Sequence, residues 1–286
     1  MGSWQKRHGL CYFPFMVSRW AFSGWSMGFL IRPFLCQQGE GLSTRLKAPL
    51  YSGQDEQESV LSLAEMMEEK SLQALAPAFF LQDVWTVARA LLGKILVTRH
   101  PAGETAIRIT EVEAYAGTSD RACHAYGGRR TRRNEPMYQV GGTLYIYLNY
   151  GLHHLLNIVT GPEGDPCAVL IRAGEPLWGQ ALMAERRGLS PEDPRLTVGP
   201  GNLTRALAIP LAWSGQHLLF HPQIQILSDG YAPPFIQHGP RIGVDYAGPD
   251  ARHPWRYWIG DTPFVSNSRK KPNFTSRKKP NFTKSV

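Results

Sequence analysis

The clearest alternation of apolar and polar side chains begins after Gly142 and ends before Tyr150. Leu144, Ile146 and Leu148 are apolar, and a tyrosine or an asparagine follows each of them. A period of two residues predicts a β-strand with one packed face and one aromatic, polar face.

A turn is predicted directly after this strand, because Tyr150 and Gly151 break the alternation. A second strand over residues 153–160 completes a hairpin with Tyr150 near its tip. A ring that projects from a turn buries little area in its own core. Such a ring suits a protein that pushes a base out of a nucleic-acid stack and then holds it.

The remaining periodicity predicts one compact domain over residues 71–266. Helices are predicted from Pro77 to Leu92, from Gly174 to Arg187 and from Asn202 to Ala208. Strands are predicted at 94–98, 106–115, 143–150, 153–160, 167–172, 217–221, 223–228, 240–244 and 256–259. Short strands mixed with flanking helices indicate the α+β class, here as a curved antiparallel sheet flanked by helices with a protruding β-hairpin.

The two ends are predicted to lie outside this domain. Residues 1–70 are interpreted as an extension and linker, either a targeting segment or disordered, with residues 52–70 running into a helix. Residues 268–275 recur as a direct repeat at 276–283, and this basic tail, residues 267–286, is expected to be disordered. A basic arm on nucleic acid and a solvated tail without function remain open for it.

The net charge of +8 comes from the ends of the chain. Residues 40–266 contain 20 basic and 23 acidic residues, so the overall basic balance is weak evidence about the folded middle. The apolar stretch from Trp20 to Ile31 is shorter than the roughly 20 residues that span a bilayer, and no membrane association is expected. Residues 1–39 contain no acid and resemble an organelle transit peptide, the alternative being an extension with no folded role.

The four cysteines are widely spaced and form no CxxC pair, which argues against a zinc or iron–sulfur site. No metal and no cofactor is therefore expected, and the thiols are interpreted as reduced in an intracellular protein. The P-loop, GxGxxG, HExxH and zinc-deaminase motifs do not occur.

Strand 106–115 contains the first candidate for chemistry. Strict alternation places Ile107, Ile109, Glu111, Glu113 and Tyr115 on one face. A carboxylate is costly to bury unless it is paired or has a purpose, so a buried glutamate near a cation is a candidate general base. The alternative is that the strand bends and the glutamates face solvent or pair with arginine.

A loop rich in glycine and arginine follows. Five arginines fall within residues 121–133, four of them after His124, and guanidinium groups on flexible backbone suit phosphate contacts. The alternative is a solvated loop in which Asp120 and Glu135 are local partners. Arg172 ends an apolar strand and either orients a carboxylate such as Glu113 or forms a structural ion pair.

An ordered set of motifs resembles the alkyladenine (3-methyladenine) DNA glycosylase family over residues 75–266. The matching positions are Glu113 to Tyr115, His124, Gly127 to Asn134, Gly142 to Gly151, Asn157, Leu170 to Ala173, Gly199 to Leu207 and Pro240 to Val244. The resemblance implies a single-domain, monofunctional enzyme that flips an alkylated or deaminated purine nucleotide from duplex DNA. It then hydrolyses the N-glycosidic bond and leaves an abasic site for base excision repair.

The resemblance also implies roles for individual residues. Glu113 is similar to the general base that activates water, and Arg172 to the residue that holds the water and the carboxylate. The flipped base is implied to lie between Tyr115, His124 and Tyr147, with Asn157 disfavouring guanine. Tyr150 is similar to the wedge that fills the vacated place, and the DNA-contacting arginines are Arg129, Arg130, Arg132, Arg133 and Arg205.

One position departs from the family pattern, because Asn202 stands where a lysine is common. Arg205 is a candidate to take over the missing phosphate contact. A monomer located with the DNA, in a nucleoid-containing cytoplasm or a nucleus, is expected. Two rivals stay open: a non-catalytic damage- or RNA-binding module, and a glycoside hydrolase that uses Glu111 and Glu113 as its pair.

Overall fold

The structure is a computed structural model that describes residues 72–266. The predicted linker, the helix within residues 52–70 and the basic tail lie outside the described residues. The strands are β1 (Gln73–Ala74), β2 (Ile95–His100), β3 (Gly103–Tyr115), β4 (Leu144–Asn149), β5 (His153–Thr160), β6 (Cys167–Trp178), β7 (Ile224–Ser228), β8 (Ile236–Gly239) and β9 (Arg256–Ile259). The α-helices are α1 (Pro77–Phe80), α2 (Val84–Leu91), α3 (Gln180–Arg187) and α4 (Pro200–Ala206).

The nine strands form one sheet, in which every pairing is antiparallel. The order is β1-β7-β2-β3-β6-β5-β4, with β9 beside the second half of β3 and β8 beside β9. Helix α2 packs its apolar face on β3, and α4 packs on β5 and β6. The predicted α+β class with an antiparallel sheet is confirmed.

The prediction of one continuous helix from Pro77 to Leu92 is wrong. The structure has α1 and α2 instead, and Asp83 lies between them as the N-cap of α2. Its carboxylate accepts hydrogen bonds from the main-chain nitrogens of Trp85 (3.1 Å) and Thr86 (2.9 Å). A short acidic side chain in extended backbone satisfies the first amides of a new helix, so it separates two helices that share one apolar period.

The predicted helix from Gly174 to Arg187 begins too early. Residues 173–178 continue β6, because they pair with β3 over Ala106 to Glu111. Gly179 then turns the chain with φ 74°, and a Cβ at this position would lie 2.3 Å from the Glu104 carbonyl oxygen. Helix α3 begins at Gln180 after this turn.

Two predicted strands are wrong. Residues 217–221 contain a single 3₁₀ turn over Leu218–Phe220. Residues 240–244 form a loop, and the strand of this region is β8, which ends at Gly239. In the loop Gly243 has φ 78°, a left-handed conformation that interrupts a strand.

A double irregularity in the centre of the sheet changes which side chains share a face. Between Ile109 and Val112 the register of β3 against β6 shifts twice. Residue 110 of β3 has no partner on β6, and residue 172 of β6 then has no partner on β3. Ile107 and Ile109 before the shift pack in the main core, and so do Val112 and Ala114 after it. The prediction that Ile107 and Ile109 share a face with Glu111, Glu113 and Tyr115 is therefore wrong, because a bulge reverses the alternation.

Candidate active site

A cavity of about 280 Å³ opens on the face that this bulge exposes. On β4 the same alternation buries Leu144 and Ile146 in the main core and turns Tyr145 and Tyr147 toward the cavity. The walls include all the residues that are predicted to contact the base and the residue predicted to act as the wedge. These are Tyr115, His124, Tyr147, Asn157 and Tyr150, and Arg172 also lines the cavity. Side chains that are up to 57 residues apart in sequence are thus brought together.

The aromatic walls form a contiguous group. The ring centroid of His124 lies 4.6 Å from that of Tyr147 and 6.0 Å from that of Tyr145, in edge-to-face geometry. Nδ1 of His124 is 2.7 Å from the Tyr145 hydroxyl. Burial, with help from Arg133 and Arg129, lowers the pKa of His124. This shift favours the neutral imidazole, and the rings then present an uncharged, electron-rich surface that attracts cations.

Glu113 lies directly behind this surface and is fully buried. Its Oε2 accepts hydrogen bonds from the Tyr115 hydroxyl (2.9 Å) and from Nη1 of Arg172 (3.1 Å). Its Oε1 accepts one from the main-chain nitrogen of Ile242 (2.7 Å). A carboxylate oxygen can accept two hydrogen bonds. Oε1 accepts one from the described residues, which leaves its second acceptor position for a water.

The three donors to Glu113 are themselves cavity residues. Burial raises the pKa of Tyr115 well above its usual value, and the nearby Glu113 charge raises it further. Tyr115 therefore stays protonated and donates. Burial alone would lower the pKa of Arg172, but Glu113 and Glu111 outweigh this effect and raise it. The carboxylate thus contacts a permanent cation and two neutral donors.

Glu111 is also fully buried, and apart from Arg172 its hydrogen-bond donors do not line the cavity. Its Oε1 accepts from Nε of Arg172 (3.2 Å) and Nη1 of Arg256 (3.1 Å), and its Oε2 accepts from the main-chain nitrogen of Ser266 (2.6 Å). The alternative of a structural ion pair with arginine therefore applies to Glu111. Neither glutamate lines the cavity itself, but Glu113 accepts from the Tyr115 hydroxyl and the Ile242 amide, which do line it, and Glu111 accepts from no counterpart of them. This difference argues against a Glu111–Glu113 glycoside hydrolase pair.

The hairpin tip stands beside the mouth of the cavity. Tyr150 and Gly151 have φ values of 50° and 69°, and Leu152 nitrogen donates to the Asn149 carbonyl (3.1 Å), as in a type I′ turn. A positive φ is unusual for a bulky residue and costs roughly 1 kcal/mol or more. The turn leaves Tyr150 87% exposed and Leu152 79% exposed. Two large apolar side chains therefore project from the surface.

Asn157 has a fixed orientation on β5. Its Nδ2 donates to the carbonyls of Tyr145 (3.0 Å) and Leu155 (3.3 Å). Both partners are acceptors, so the amide nitrogen must face them and the polar group in the buried strand is satisfied.

The arginines of the loop differ in their partners. Arg133 donates to the Leu148 carbonyl (2.9 Å) and lies over the Tyr147 ring, which places it beside the hairpin close to its tip. Arg130 forms an exposed bidentate ion pair with Glu135 (2.9 and 2.5 Å). Arg129 and Arg132 are exposed, and their side chains form no hydrogen bond or ion pair with another described residue.

Helix α4 carries the position that departs from the family pattern. The Asn202 side chain donates to the Val198 carbonyl (2.8 Å), so its amide nitrogen is held against the segment that precedes the helix. Nε of the exposed Arg205 donates to the Arg186 carbonyl (2.7 Å). Arg205 lines a shallow groove beside the hairpin, together with Leu152 and His153.

Several cavity residues were missed by the sequence predictions. Ile242, Gly243 and Val244 line the cavity from a loop, where the sequence predicts a strand. Tyr246 lines its mouth, is 72% exposed and donates from its hydroxyl to the Ala122 carbonyl (3.2 Å). Tyr246 follows the matched motif by two residues, and its only sequence signal was this proximity.

Comparison with known proteins decides the family. The family model described as "Methylpurine-DNA glycosylase (MPG)" matches residues 78–263. The chain belongs to this family. It is a monofunctional DNA glycosylase that hydrolyses the glycosidic bond of alkylated bases in base excision repair.

Curated relatives agree with this assignment. A protein from Methanocella arvoryzae is 45% identical over 188 residues, which cover 66% of this chain and 93% of the relative. One from Bacillus licheniformis is 44% identical over 189 residues, covering 66% and 94%. One from Chlamydia pneumoniae is 46% identical over 183 residues, covering 63% and 92%. Each is named "Putative 3-methyladenine DNA glycosylase".

A repair enzyme of this family acts on DNA and therefore works inside the cell. Within residues 72–266 no helix combines the length and the apolar character needed to cross a membrane. The same residues contain no group of three or more histidine, cysteine or acidic side chains arranged to hold a metal ion.

Proposed function

We propose that the cavity receives a single damaged purine nucleotide, flipped out of duplex DNA, and that Glu113 activates the water that releases the base. The observation that carries this proposal is the burial of Glu113 directly behind a wall made by its own hydrogen-bond donors. A carboxylate buried beside a fixed cation, with one acceptor position left, is suited to hold and deprotonate a water.

The reaction consists of one displacement. The water oxygen forms a bond to C1′ while the bond from C1′ to the purine nitrogen breaks, and the proton of the water passes to Oε1 of Glu113. The bonding electron pair leaves with the base. Arg172 holds the other carboxylate oxygen in place, and Tyr115 fixes it from the side.

The aromatic walls explain a preference for alkylated purines such as 3-methyladenine. Alkylation at N3 or N7 makes the base cationic, and aromatic faces attract a cation by about 0.5–2 kcal/mol. The positive charge also weakens the glycosidic bond, and the departing base becomes neutral without any protonation. A deaminated base such as hypoxanthine is neutral and needs a proton on the leaving group, so we expect slower release.

The exposed tip of the hairpin is proposed to act before chemistry. Tyr150 inserts into the duplex where the nucleotide has left, which compensates part of the few kcal/mol that flipping costs. Arg129, Arg132, Arg133 and Arg205 are proposed to contact phosphates, with Arg130 joining them when its exposed pair with Glu135 opens. Asn157 is proposed to exclude guanine by occupying the space that its exocyclic amino group needs. We further propose that the enzyme acts as a monomer.

The decisive experiment compares Glu113→Gln with Glu104→Gln, which alters a partly exposed ion pair with Arg99 on the β2–β3 hairpin. Duplexes carrying an alkyladenine, hypoxanthine or ethenoadenine are incubated with each variant, and abasic sites and duplex affinity are measured. We expect Glu113→Gln to lose about 10²–10⁴-fold in excision rate, the usual size of a general-base contribution, with lesion binding retained. Full activity of Glu113→Gln would remove the proposed base. Lesion binding without base release by the unaltered protein would favour a binding module.

A further inference from the structure

A buried ion pair between Asp120 and Arg241 lies outside the cavity and is not required by the reaction described above. Nη1 of Arg241 is 2.5 Å from Oδ2 of Asp120, and Nη2 is 2.8 Å from Oδ1. Both side chains are completely buried. The two residues come from different segments, the loop after β3 and the loop after β8.

The Arg241 side of this pair reaches two donors of the Glu113 carboxylate. Its guanidinium lies over the Tyr115 ring, 4.8 Å from the centroid, with Trp255 at 4.9 Å. Nη1 also donates to the Ala114 carbonyl (3.0 Å). The next residue, Ile242, donates its main-chain N–H to Glu113. Arg241 therefore fixes the Tyr115 ring and the peptide that supplies the Ile242 amide.

The Asp120 side reaches the segment that carries His124. Its carboxylate accepts from the main-chain nitrogens of Ala116 (3.1 Å) and Ala122 (2.9 Å). Its carbonyl accepts from Cys123 nitrogen (2.9 Å), one residue before His124. One carboxylate thus connects the end of β3, the wall bearing His124 and the loop bearing Ile242.

We infer that Asp120 and Arg241 are positioning residues of the reaction centre, which hold Tyr115 and the Ile242 amide on Glu113 and the His124 wall against them. The inference rests on the proposed role of Glu113. A buried ion pair by itself is weak evidence for stability, because the cost of desolvating two charges offsets most of their attraction. The groups that this pair reaches are instead those that contact the base and the carboxylate, and errors of 1 Å there cost about 100-fold in rate.

The chain contains a matched control pair. Arg108 and Asp229 also form a bidentate ion pair (3.2 and 2.8 Å), and Arg108 also lies over a tyrosine ring, that of Tyr231 at 4.4 Å. Both side chains are largely buried. None of these three residues lines the cavity. Variants of this pair report what a similar ion pair does when it is remote from the carboxylate.

The test compares Asp120→Asn, Arg241→Lys and the double variant Asp120→Asn/Arg241→Gln with Asp229→Asn and Arg108→Lys. The double variant removes both charges and leaves neither one buried alone. Melting temperature, affinity for a lesion duplex and single-turnover excision rate on saturated protein are measured well below the melting transition. The alkyladenine duplex is the probe.

We expect the Asp120 and Arg241 variants to lose about 100-fold in single-turnover rate with duplex affinity changed only a few-fold. Arg241→Lys keeps the positive charge but loses the planar, bidentate guanidinium. It should retain more activity than the double variant. The control variants should melt earlier and excise at the rate of the unaltered protein.

Three results would overturn the inference: unchanged excision by the folded variants, an equal loss in the control variants, or failure of the whole Asp120 and Arg241 set to fold. If the unaltered protein releases no base, the proposed function fails instead, whereas an active unaltered protein leaves the variants to decide the positioning role.

Discussion

Glu111 and Glu113 are two residues apart on β3, both are fully buried and both bind Arg172, yet their surroundings differ. Glu111 contacts a second arginine, Arg256, and a main-chain amide near the end of the described chain. Glu113 contacts a tyrosine and an amide that both line the cavity. Burial beside an arginine therefore does not distinguish the carboxylate that we propose as the general base from a structural one. The distinction comes from where the other donors lie.

Arg172 connects the two carboxylates through different nitrogens of its guanidinium. Its Nε is directed to Glu111 and its Nη1 to Glu113. Glu111 therefore fixes the plane of the guanidinium, and the other edge of that plane is presented to Glu113. This arrangement predicts that altering Glu111 affects mainly folding, whereas altering Glu113 affects mainly chemistry.

Glu111→Gln is expected to have the largest effect on stability. Removing one partner of a buried ion pair typically costs about 3–5 kcal/mol, because it leaves uncompensated charge, here on Arg256. In a domain of this size the melting temperature should fall by about 10 °C. Thermal unfolding of Glu111→Gln and Glu113→Gln, measured side by side with excision by the folded fraction, tests the comparison. If both variants lost stability and rate in the same proportion, the two carboxylates would share one role.

How far the sequence predicted this site depends on the range of each signal. Alternation within β4 and β5 located the hairpin, the two inward tyrosines and the protruding Tyr150, because a strand repeats every two residues. The ordered motifs brought Glu113, His124 and Arg172 into one proposal. These are local patterns, or resemblances that hold position by position.

The missed features depend on contacts between distant segments. The bulge that turns Glu113 away from the main core needs only one unpaired residue on β3, at 110, and one on β6, at 172. Neither residue type is typical of a bulge, so the sequence does not predict it. The Ile242 amide reaches Glu113 across 129 residues of sequence. The loop that carries it is only five residues long, and a run of this length does not distinguish a short strand from a loop.

Tyr115→Phe tests the difference between Glu113 and Glu111 by removing one oxygen atom, the hydroxyl that donates to Glu113. The variant keeps the ring that lines the cavity but removes the hydroxyl that donates to Oε2 of Glu113. A hydrogen bond to a charged group contributes about 1.5–3 kcal/mol, so we expect excision to slow by about 10- to 100-fold with lesion affinity nearly retained. Single-turnover rates and duplex affinities measure this split. Tyr138→Phe is a suitable control, because that hydroxyl donates to the Arg129 carbonyl and not to a carboxylate. An equal loss of rate in the control would mean that the effect does not pass through Glu113.

Tyr150→Ala tests whether binding is separate from both carboxylates. The ring is 87% exposed, and its backbone has a positive φ, so its removal should leave the melting temperature nearly unchanged. Stacking of one base on an aromatic side chain contributes about 1–3 kcal/mol, so affinity for a lesion duplex should fall by about 10-fold or more. Excision from bound duplex at saturation should fall less than affinity, since Glu113 and its donors are untouched. Phe220→Ala provides the control, because Phe220 is 84% exposed and lies on a 3₁₀ turn that does not line the cavity. If Tyr150→Ala lowered the melting temperature as much as a core substitution, Tyr150 would belong to the fold. The division between a buried centre for chemistry and an exposed tip for flipping would then have to be abandoned.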